Sequence, residues 1–167
     1  MQLLLTIVLL ASPYIGWLTT ATEPGTPLVV HGRVFAPDGK SPAAGVTIYA
    51  YQTDARGLYH APGAKEPRLR ATCITDAQGR FELRTIRPGA YPGRDIPAHI
   101  HLQAWGGGYP KQWLNEVQFD DDAHVTAAMR AESRARGAFA NVIATTRDAN
   151  GVLHATINLL LRTTSNL

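Results

Sequence analysis

Short segments with β-strand composition alternate with turns rich in proline and glycine along this chain from residue 28 onward. The first segment, 28–35, ends at a Pro37-Asp38-Gly39 turn, and the second, 45–52, is rich in β-branched and aromatic residues. Further strands are predicted over 80–86, 98–105 and 113–119, and a closing hairpin over 139–146 and 152–161. Many short strands separated by regular turns predict an all-β fold, built as a β-sandwich.

The sequence predicts one helix and two irregular loops in addition to the strands. The helix is predicted over 121–134, because acidic residues stand at its start and two arginines near its end. The first loop spans 53–70. The second, 87–93, has two prolines and two glycines in seven residues, which excludes regular structure there. The sequence contains no internal repeat, so a single domain is predicted over residues 23–167.

The first 22 residues contain no charged side chain and begin with a long apolar run. This composition predicts a secretory signal peptide over residues 1–22, with cleavage near Ala21 and export to the periplasm or the extracellular space. An uncleaved membrane anchor is the alternative. The apolar stretch 3–18 is shorter than the roughly 20 residues that a span requires, and Pro13 and Gly16 interrupt it. Cleavage is therefore favoured, and no stable membrane span is expected in the mature chain.

The net charge and the cysteine content argue against a nucleic-acid partner and against an intrachain disulfide. The net charge is +3 and the arginines are scattered instead of forming a basic stripe, so a nucleic-acid partner is not expected. Cys73 is the only cysteine, which excludes an intrachain disulfide. It stands in a β-like run and is expected to be a small buried hydrophobic residue.

Two tyrosines and two histidines form the candidate metal site. Tyr59 and Tyr91 lie in the two predicted loops, and His99 and His101 lie in the strand predicted to follow. Alternate side chains of a strand share one face, so both imidazoles can reach one ion. Taken alone, this histidine pair is equally compatible with two polar residues on a solvated face. The remaining tyrosines are expected to pack against the core or the leader: Tyr14, Tyr49, Tyr51 and Tyr109.

The residue types in this set favour ferric iron over other metals. Zinc sites are built mainly from histidine, cysteine and carboxylate, and ferrous oxygenases commonly use two histidines and one carboxylate. A free phenol has a pKa of about 10, so it ionises at neutral pH only with strong help. A hard trivalent cation supplies that help, because metal binding drives the loss of ligand protons. If the four side chains meet, the chain is an iron enzyme.

Four motifs carry a resemblance to a known family. TIRPGAYPG at 85–93 is followed by PAHIH at 97–101, and YQTDARGLY at 51–59 and TDAQGRF at 75–81 stand upstream. These motifs resemble those of the intradiol ring-cleavage dioxygenases, which include protocatechuate 3,4-dioxygenase and catechol 1,2-dioxygenase. The resemblance extends from about residue 29 to about residue 120.

The resemblance implies a β-sandwich of the transthyretin (prealbumin) type, with long active-site loops and one short helix. It also implies one non-haem Fe(III) per chain, held by Tyr59 and His101 in equatorial positions and by Tyr91 and His99 in axial positions. In the mechanism of this family, Tyr91 would be the general base that takes a proton from a catechol-type diol. The ring would then open with O2 between the two hydroxylated carbons, to give a cis,cis-muconate.

Two positions depart from the family pattern. The catabolic enzymes usually carry arginine where this chain has Ile96, and glutamine where it has Glu116. Isoleucine cannot donate a hydrogen bond, and an ionised glutamate adds a negative charge, so the substrate and the rate of turnover stay open. The resemblance is to exported single-domain members, since the helical segment that dimerises the catechol-cleaving branch has no counterpart before residue 28. The oligomeric state stays open as well.

Three functions are compatible with these observations. The first is an exported Fe(III) intradiol dioxygenase that acts on catechol-type aromatics with O2. The second is a non-catalytic, transthyretin-like β-sandwich binding module that retains a metal site. The third is a zinc hydrolase that uses His99 and His101, although no acidic third ligand stands at a persuasive spacing in the sequence.

Overall fold

Strands dominate the structure and are arranged in two layers. The computed structural model describes residues 12–60 and 63–167, and within them it contains eleven strands and one α-helix. The strands are β1 (Ile15–Trp17), β2 (Pro27–Phe35), β3 (Val46–Gln52), β4 (Leu69–Ile74), β5 (Arg80–Ile86), β6 (His99–Gly106), β7 (Tyr109–Trp113), β8 (Val117–Phe119), β9 (Val142–Ile143), β10 (Thr146–Arg147) and β11 (Leu153–Leu160). The helix is α1 (Ala127–Ala135), which a single 3-10 turn (Gly137–Phe139) follows.

The two sheets differ in strand order. The first sheet has five strands in the order β1-β5-β2-β11-β10. The second has the order β4-β3-β6-β8-β9, and β7 also pairs with β6. Most neighbouring strands are antiparallel, whereas β1 with β5, β2 with β11 and β8 with β9 are parallel. Strand β6 therefore lies inside the second sheet, with β3 on one side and both β7 and β8 on the other.

Alternating apolar side chains of both sheets form the core between the layers. Val30 on β2, Leu83 on β5, Ile48 on β3 and Leu102 on β6 are all completely buried in one cluster. Cys73 belongs to the same cluster, and burial raises the pKa of its thiol to about 12. Each strand thus turns one face inward, as antiparallel sheets of a sandwich do. The predicted all-β sandwich with one short helix is confirmed, and so is the burial of Cys73.

The strand predicted over 113–119 is wrong in its extent, because the structure divides it. β7 ends at Trp113 and β8 begins at Val117. Both pair with the same edge of β6, but the pairing register changes between them, so the residues in between interrupt the ladder. This interruption places Glu116 beside the histidines of β6.

The helix begins later than the predicted range 121–134. α1 starts after Thr126, whose hydroxyl accepts a hydrogen bond from a backbone N–H of the first turn. The acidic residues at the predicted start belong to a turn instead. The carboxylate of Asp122 accepts a hydrogen bond from the backbone N–H of Ala98, 3.1 Å away. The acidic run therefore supports the strand that carries the histidines.

The closing hairpin is shorter than the predicted segments 139–146 and 152–161. Only β10 and β11 form it, over two paired positions. β11 pairs mainly with β2, in parallel and over eight positions, and β9 joins the other sheet beside β8. These pairings join segments far apart in the sequence, and the local turn signal around 148–151 carries no information about them.

β1 falls inside the segment 1–22 that the sequence predicts as a signal peptide. Residues 1–11 of that segment lie outside the described residues. β1 pairs in parallel with β5, and Leu18, immediately after it, is only 4 % exposed. Cleavage near Ala21 would remove this strand, so the boundary at residue 22 stays a prediction. Across the part of the chain that the structure describes, no helix has the length and apolar character needed to cross a membrane.

Candidate metal centre

His99 and His101 lie at the start of β6, inside the six-stranded sheet. Ile100 and Leu102, which alternate with them, are completely buried in the core. Because successive side chains of a strand point to opposite faces, the two imidazoles share the face away from the core. The loops that carry the tyrosines meet them on this face.

Tyr59 follows a tight loop organised around Asp54. The Asp54 carboxylate accepts hydrogen bonds from the backbone N–H groups of Arg56 and Leu58, at 2.9 and 3.0 Å. Burial of Asp54 opposes its ionisation, but these hydrogen bonds, together with the hydrogen bond and the charge of the Arg56 side chain, outweigh burial and lower the pKa of the carboxyl group. An ionised, buried carboxylate therefore fixes the backbone immediately before Tyr59.

The loop that carries Tyr91 packs directly on the Asp54 loop. At Gly57, φ is +83° and a Cβ atom would lie 2.0 Å from the carbonyl oxygen of Ala90. No other residue type adopts this backbone conformation easily and also leaves this space free. The close approach of the two loops, and with it the approach of the two phenols, depends on glycine at position 57.

The polar atoms of all four predicted residues converge. The hydroxyl oxygen of Tyr59 is 2.7 Å from Nε2 of His101, and it also contacts the hydroxyl of Tyr91. The hydroxyl oxygen of Tyr91 is 3.1 Å from Nε2 of His99 and 3.5 Å from Nε2 of His101. The two Nε2 atoms are 3.0 Å apart. Separations of this size are those expected between neighbouring ligands of one metal ion whose bonds are about 2.0–2.1 Å long.

The second ring nitrogen of each histidine has its own partner. Nδ1 of His99 lies 2.7 Å from the carbonyl oxygen of Pro97, and Nδ1 of His101 lies 2.8 Å from Oε1 of Glu116. Both partners are acceptors, so each Nδ1 carries the proton and donates it. The lone pairs of both Nε2 atoms therefore face the tyrosines, in the tautomer that a metal ion requires.

The surroundings of the Tyr59 phenol oppose its ionisation unless a cation is present. Burial raises the pKa of Tyr59 well above its usual range, and the hydrogen bond with the Tyr91 hydroxyl raises it further. A bound cation of high charge reverses this balance, because it stabilises the phenolate directly. Two phenol oxygens and two imidazole nitrogens, all within contact distance, fit a hard trivalent cation such as Fe(III).

Glu116 is a site residue that the sequence analysis noted only as a departure from the family pattern. Its carboxylate lies close enough to His99 and His101 to form a group of three potential metal ligands, with ligand atoms within 4.8 Å of one another. This group contains the acidic residue that the zinc hypothesis lacked. However, Oε1 of Glu116 faces Nδ1 of His101, whereas the tyrosines face Nε2, so it orients this ring instead of joining the tyrosines around one ion.

Tyr51 is a second residue of the site that was missed, because it was expected to pack against the core or the leader. It lies on β3 opposite His101, and the two rings stack with centroids 4.5 Å apart. Trp113 adds an edge contact to the same imidazole, at 6.2 Å between ring centroids. Strand alternation places Tyr51 on one face of β3, but only the register with β6 places it against His101.

Comparison with known proteins agrees with this geometry. A family model described as "Dioxygenase" matches residues 16–162. The beta chain of protocatechuate 3,4-dioxygenase from Burkholderia cepacia is 32 % identical over 110 residues, which cover 59 % of this chain and 46 % of that protein. The chain spans about half the length of the curated relatives it matches.

Solved structures extend the comparison to the fold. The dioxygenase domain of a dioxygenase carbohydrate-binding protein fusion from Streptomyces sp. SirexAA-E is 31 % identical, with a TM-score of 0.66, and the match covers 89 % of this chain and 87 % of that chain. 3-Chlorocatechol 1,2-dioxygenase from Rhodococcus opacus 1CP, at 21 % identity, has the same fold, with a TM-score of 0.71 and coverage of 93 % of this chain and 66 % of that chain. With most of its length matched by the family model and its motifs on the converging loops and strand, this chain belongs to the intradiol ring-cleavage dioxygenase family.

Proposed function

We propose that this chain is a non-haem Fe(III) dioxygenase that opens catechol-type diols with O2 between the two hydroxylated carbons, giving products of the cis,cis-muconate type. One observation carries the proposal: two phenol oxygens and two imidazole Nε2 atoms meet on one face of the sheet. Family membership supports the class of reaction.

Four residues are proposed to hold one ferric ion per chain: Tyr59, Tyr91, His99 and His101. Bound ferric iron supplies Lewis acidity and a template on which a diol is oriented. The protein contributes histidines that already present Nε2 and tyrosines that lie within contact distance of them. Little reorganisation is then needed when the metal binds.

Tyr91 is proposed as the general base that accepts a proton from a hydroxyl group of the diol. Its hydroxyl oxygen contacts Tyr59 and lies within 3.5 Å of both Nε2 atoms, so it borders every other proposed ligand. It belongs to a loop with two prolines and two glycines in seven residues, and the backbone N–H of Arg94 donates to its carbonyl oxygen. A base positioned by such a loop contributes about 10²–10⁴-fold to a rate.

The proposed substrate class is the aromatic vicinal diol with O2 as the second substrate. Relatives are named for protocatechuate, catechol and 6-chlorohydroxyquinol, and these compounds share adjacent hydroxyl groups while their other substituents differ. Ile96, three positions before His99, is 38 % exposed and presents an apolar side chain at the position where the family resemblance implies an arginine. This favours a diol that does not depend on a cationic side chain at that position.

The experiment that tests the proposal measures metal, colour and oxygen uptake together. We expect the purified protein to contain one iron per chain, to absorb visible light through tyrosinate-to-Fe(III) charge transfer, and to consume O2 with a catechol-type diol. Tyr91→Phe is expected to alter the absorption and to lower kcat by at least about 100-fold. Tyr109→Phe, at a half-buried tyrosine that packs against the core, is the matched control. A colourless protein with full iron occupancy contradicts the ligand set.

The same experiment separates the two rival functions. A stable iron complex that consumes no O2 with any diol of a broad panel would favour a transthyretin-like binding module with a metal site. The segment 32–49, with its Pro37-Asp38-Gly39 turn and the strand that starts after Gly45, suits that alternative equally well. Zinc without iron in the purified protein would favour a hydrolase built on His99, His101 and Glu116.

We further propose that the protein is exported through its N-terminal leader, to the periplasm or the extracellular space. The absence of charge in the first 22 residues and the apolar run within them support this location. An uncleaved anchor is the competing proposal. The N-terminal sequence of protein recovered from cells, together with the cell fraction that contains it, distinguishes the two.

A further inference from the structure

We infer that Glu116 is a positioning residue for His101, and that its carboxylate makes this histidine a stronger donor to the metal than His99. The inference rests on the proposed ferric site. It concerns Glu116, a residue outside the four proposed ligands.

The contact between the two side chains has the geometry of a directed hydrogen bond. Oε1 of Glu116 lies 2.8 Å from Nδ1 of His101, while Nε2 of the same ring lies 2.7 Å from the Tyr59 hydroxyl oxygen. Nδ1 of His101 therefore donates to the carboxylate, and Nε2 faces the proposed metal site. The His101 side chain is 18 % exposed, and Tyr51 stacks on its ring, so the imidazole has little freedom to rotate away.

The backbone around Glu116 is anchored, so the carboxylate is held in place. The side-chain amide of Asn141 donates to the carbonyl oxygen of Glu116 at 2.9 Å. The next residue, Val117, begins β8 and pairs with Ile100 of β6. The residue that orients His101 is thus attached to the strand that carries His101, although 15 positions separate the two in the sequence.

The two histidines are oriented by partners of different charge. His99 donates to the neutral carbonyl group of Pro97, whereas His101 donates to a carboxylate. A glutamate side chain is ordinarily an anion at neutral pH. Hydrogen bonds to an anion are roughly twice as strong as neutral ones, and a carboxylate behind a ligating imidazole raises the basicity of the metal-facing nitrogen.

Among the residues that the structure describes, no basic side chain competes with the histidines for this carboxylate. Within residues 12–60 and 63–167, the ion pairs of Glu116 are with His101, at 2.8 Å, and with His99, at 4.0 Å, and no arginine or lysine pairs with it. Its negative charge therefore lies beside His99 and His101, two of the proposed metal ligands. A negative charge there stabilises Fe(III) relative to Fe(II) and moves tyrosinate-to-iron charge transfer to higher energy.

Two variants separate the orienting role from the role of charge. Glu116→Gln keeps an oxygen acceptor for Nδ1 of His101 but removes the charge, and Glu116→Ala removes both. The control is Asp120→Asn, which removes a carboxylate that pairs with Arg130 instead of a histidine. Each protein is examined with iron, for charge-transfer wavelength, Fe(III)/Fe(II) midpoint potential and iron affinity, and without metal, for the His101 tautomer by 15N NMR.

The expected results differ between the variants. Glu116→Gln should keep the Nδ1-protonated tautomer, shift the charge-transfer band to longer wavelength and raise the midpoint potential. Glu116→Ala should lose the tautomer preference and bind iron about 10–100-fold more weakly. The control should match the wild type in all four measurements. A wild-type band, potential and tautomer in both Glu116 variants would overturn the inference.

Failure of the proposed function gives a different result from failure of the inference. If the wild-type protein takes up iron without a tyrosinate band, the ferric ligand set is wrong, and the effect on the metal is refuted with it. The tautomer of the metal-free protein still reports on the pairing of Glu116 with His101. If the wild type shows the band and Glu116→Gln leaves it unmoved, the ligand set stands and only the role of the carboxylate is rejected.

Discussion

Tyr51 on β3 and His101 on β6 occupy paired positions, and their rings stack with centroids 4.5 Å apart and planes 20° apart. The hydroxyl of Tyr59 lies on the metal-facing side of the same imidazole, 2.7 Å from Nε2. His101 is thus restrained by a neighbouring strand on its ring face and by hydrogen bonds at both nitrogens. The site is built on the sheet as much as on the loops.

This stacking should contribute to metal binding even though Tyr51 is not a proposed ligand. We expect Tyr51→Ala to weaken iron binding by about 2- to 13-fold, because aromatic pairs contribute about 0.5–1.5 kcal/mol beyond burial. Tyr51→Phe keeps the ring and should retain the affinity of the wild type. The measurement is iron competition against a chelator. Equal affinity of Tyr51→Ala and the wild type would mean that the stack does not restrain His101.

The sequence features behind the proposed ligands are local, and the family resemblance joins them into one set. His99 and His101 follow the two-residue period of a strand, and Tyr91 stands in a segment too rich in proline and glycine for regular structure. The sequence does not specify which strand edge lies beside them. Tyr51 and Glu116 were therefore missed as site residues, since one depends on the β3–β6 register and the other on the interrupted edge of β6.

In the fold as well, features set by neighbouring residues could be predicted from the sequence, whereas pairings between distant segments could not. Strand positions such as 80–86 follow from composition and turns, and the structure reproduces them. The parallel pairing of β2 with β11 joins opposite ends of the domain and has no local signature. The late start of α1 has a local cause, the cap at Thr126, but the acidic run before it resembles a helix start equally well.

The Asp54 loop should respond to acid in a defined direction. The pKa of Asp54 is lowered in the folded state, so its stabilising contribution is present above the unfolded pKa of about 3.9 and is lost as the pH falls through the folded value. We expect Asp54→Asn to unfold more easily than the wild type at pH 7, by about 1–3 kcal/mol, and the difference to shrink towards pH 2. Urea unfolding of the metal-free protein measures it.

A matched control shows that the effect belongs to the buried carboxylate of Asp54 and not to loss of any negative charge. Asp120→Asn removes an exposed carboxylate that pairs with Arg130, and surface pairs of this kind contribute about 0–1 kcal/mol. We expect its difference from the wild type to be small throughout the same pH range. A difference for Asp54→Asn that stays constant with pH would contradict the role assigned to the ionised carboxylate.

Strand β1 should stabilise the domain whenever it is present. Leu18 is 4 % exposed, and its backbone N–H donates to the carbonyl oxygen of Arg84 at 2.9 Å. We expect a chain that begins at Glu23 to have a free energy of unfolding lower by about 2 kcal/mol than one that begins at Ser12, mainly through the lost burial of Leu18. Denaturant unfolding of the two metal-free chains compares them directly.

Leu18→Ala in the longer chain should lower the free energy of unfolding by most of the same amount. The lost stability would then be due to the Leu18 side chain and not to the length of the chain. Equal stability of the chains that begin at Ser12 and Glu23 would show that β1 adds nothing to the sandwich. If export removes residues 1–22, the secreted form has the lower stability. The N-terminal sequence of the exported protein therefore also shows whether the form outside the cell contains β1 and its contribution to the free energy of unfolding.

Gly57 should be indispensable for bringing the two tyrosines together, and Gly63 provides a matched control. Both have positive φ, +83° and +87°, so alanine costs about 1–2 kcal/mol at either position. At Gly57 the new Cβ would overlap another loop, 2.0 Å from the carbonyl oxygen of Ala90. At Gly63, no atom of the described residues beyond its chain neighbours lies within 4 Å of the new Cβ. We therefore expect Gly57→Ala to lose the tyrosinate absorption and to bind iron weakly, while Gly63→Ala keeps both with a small decrease in Tm. The measurements are the visible spectrum and the iron content of each variant. Equal iron content and colour in the two variants would show that the site assembles without the close approach of Gly57 to Ala90.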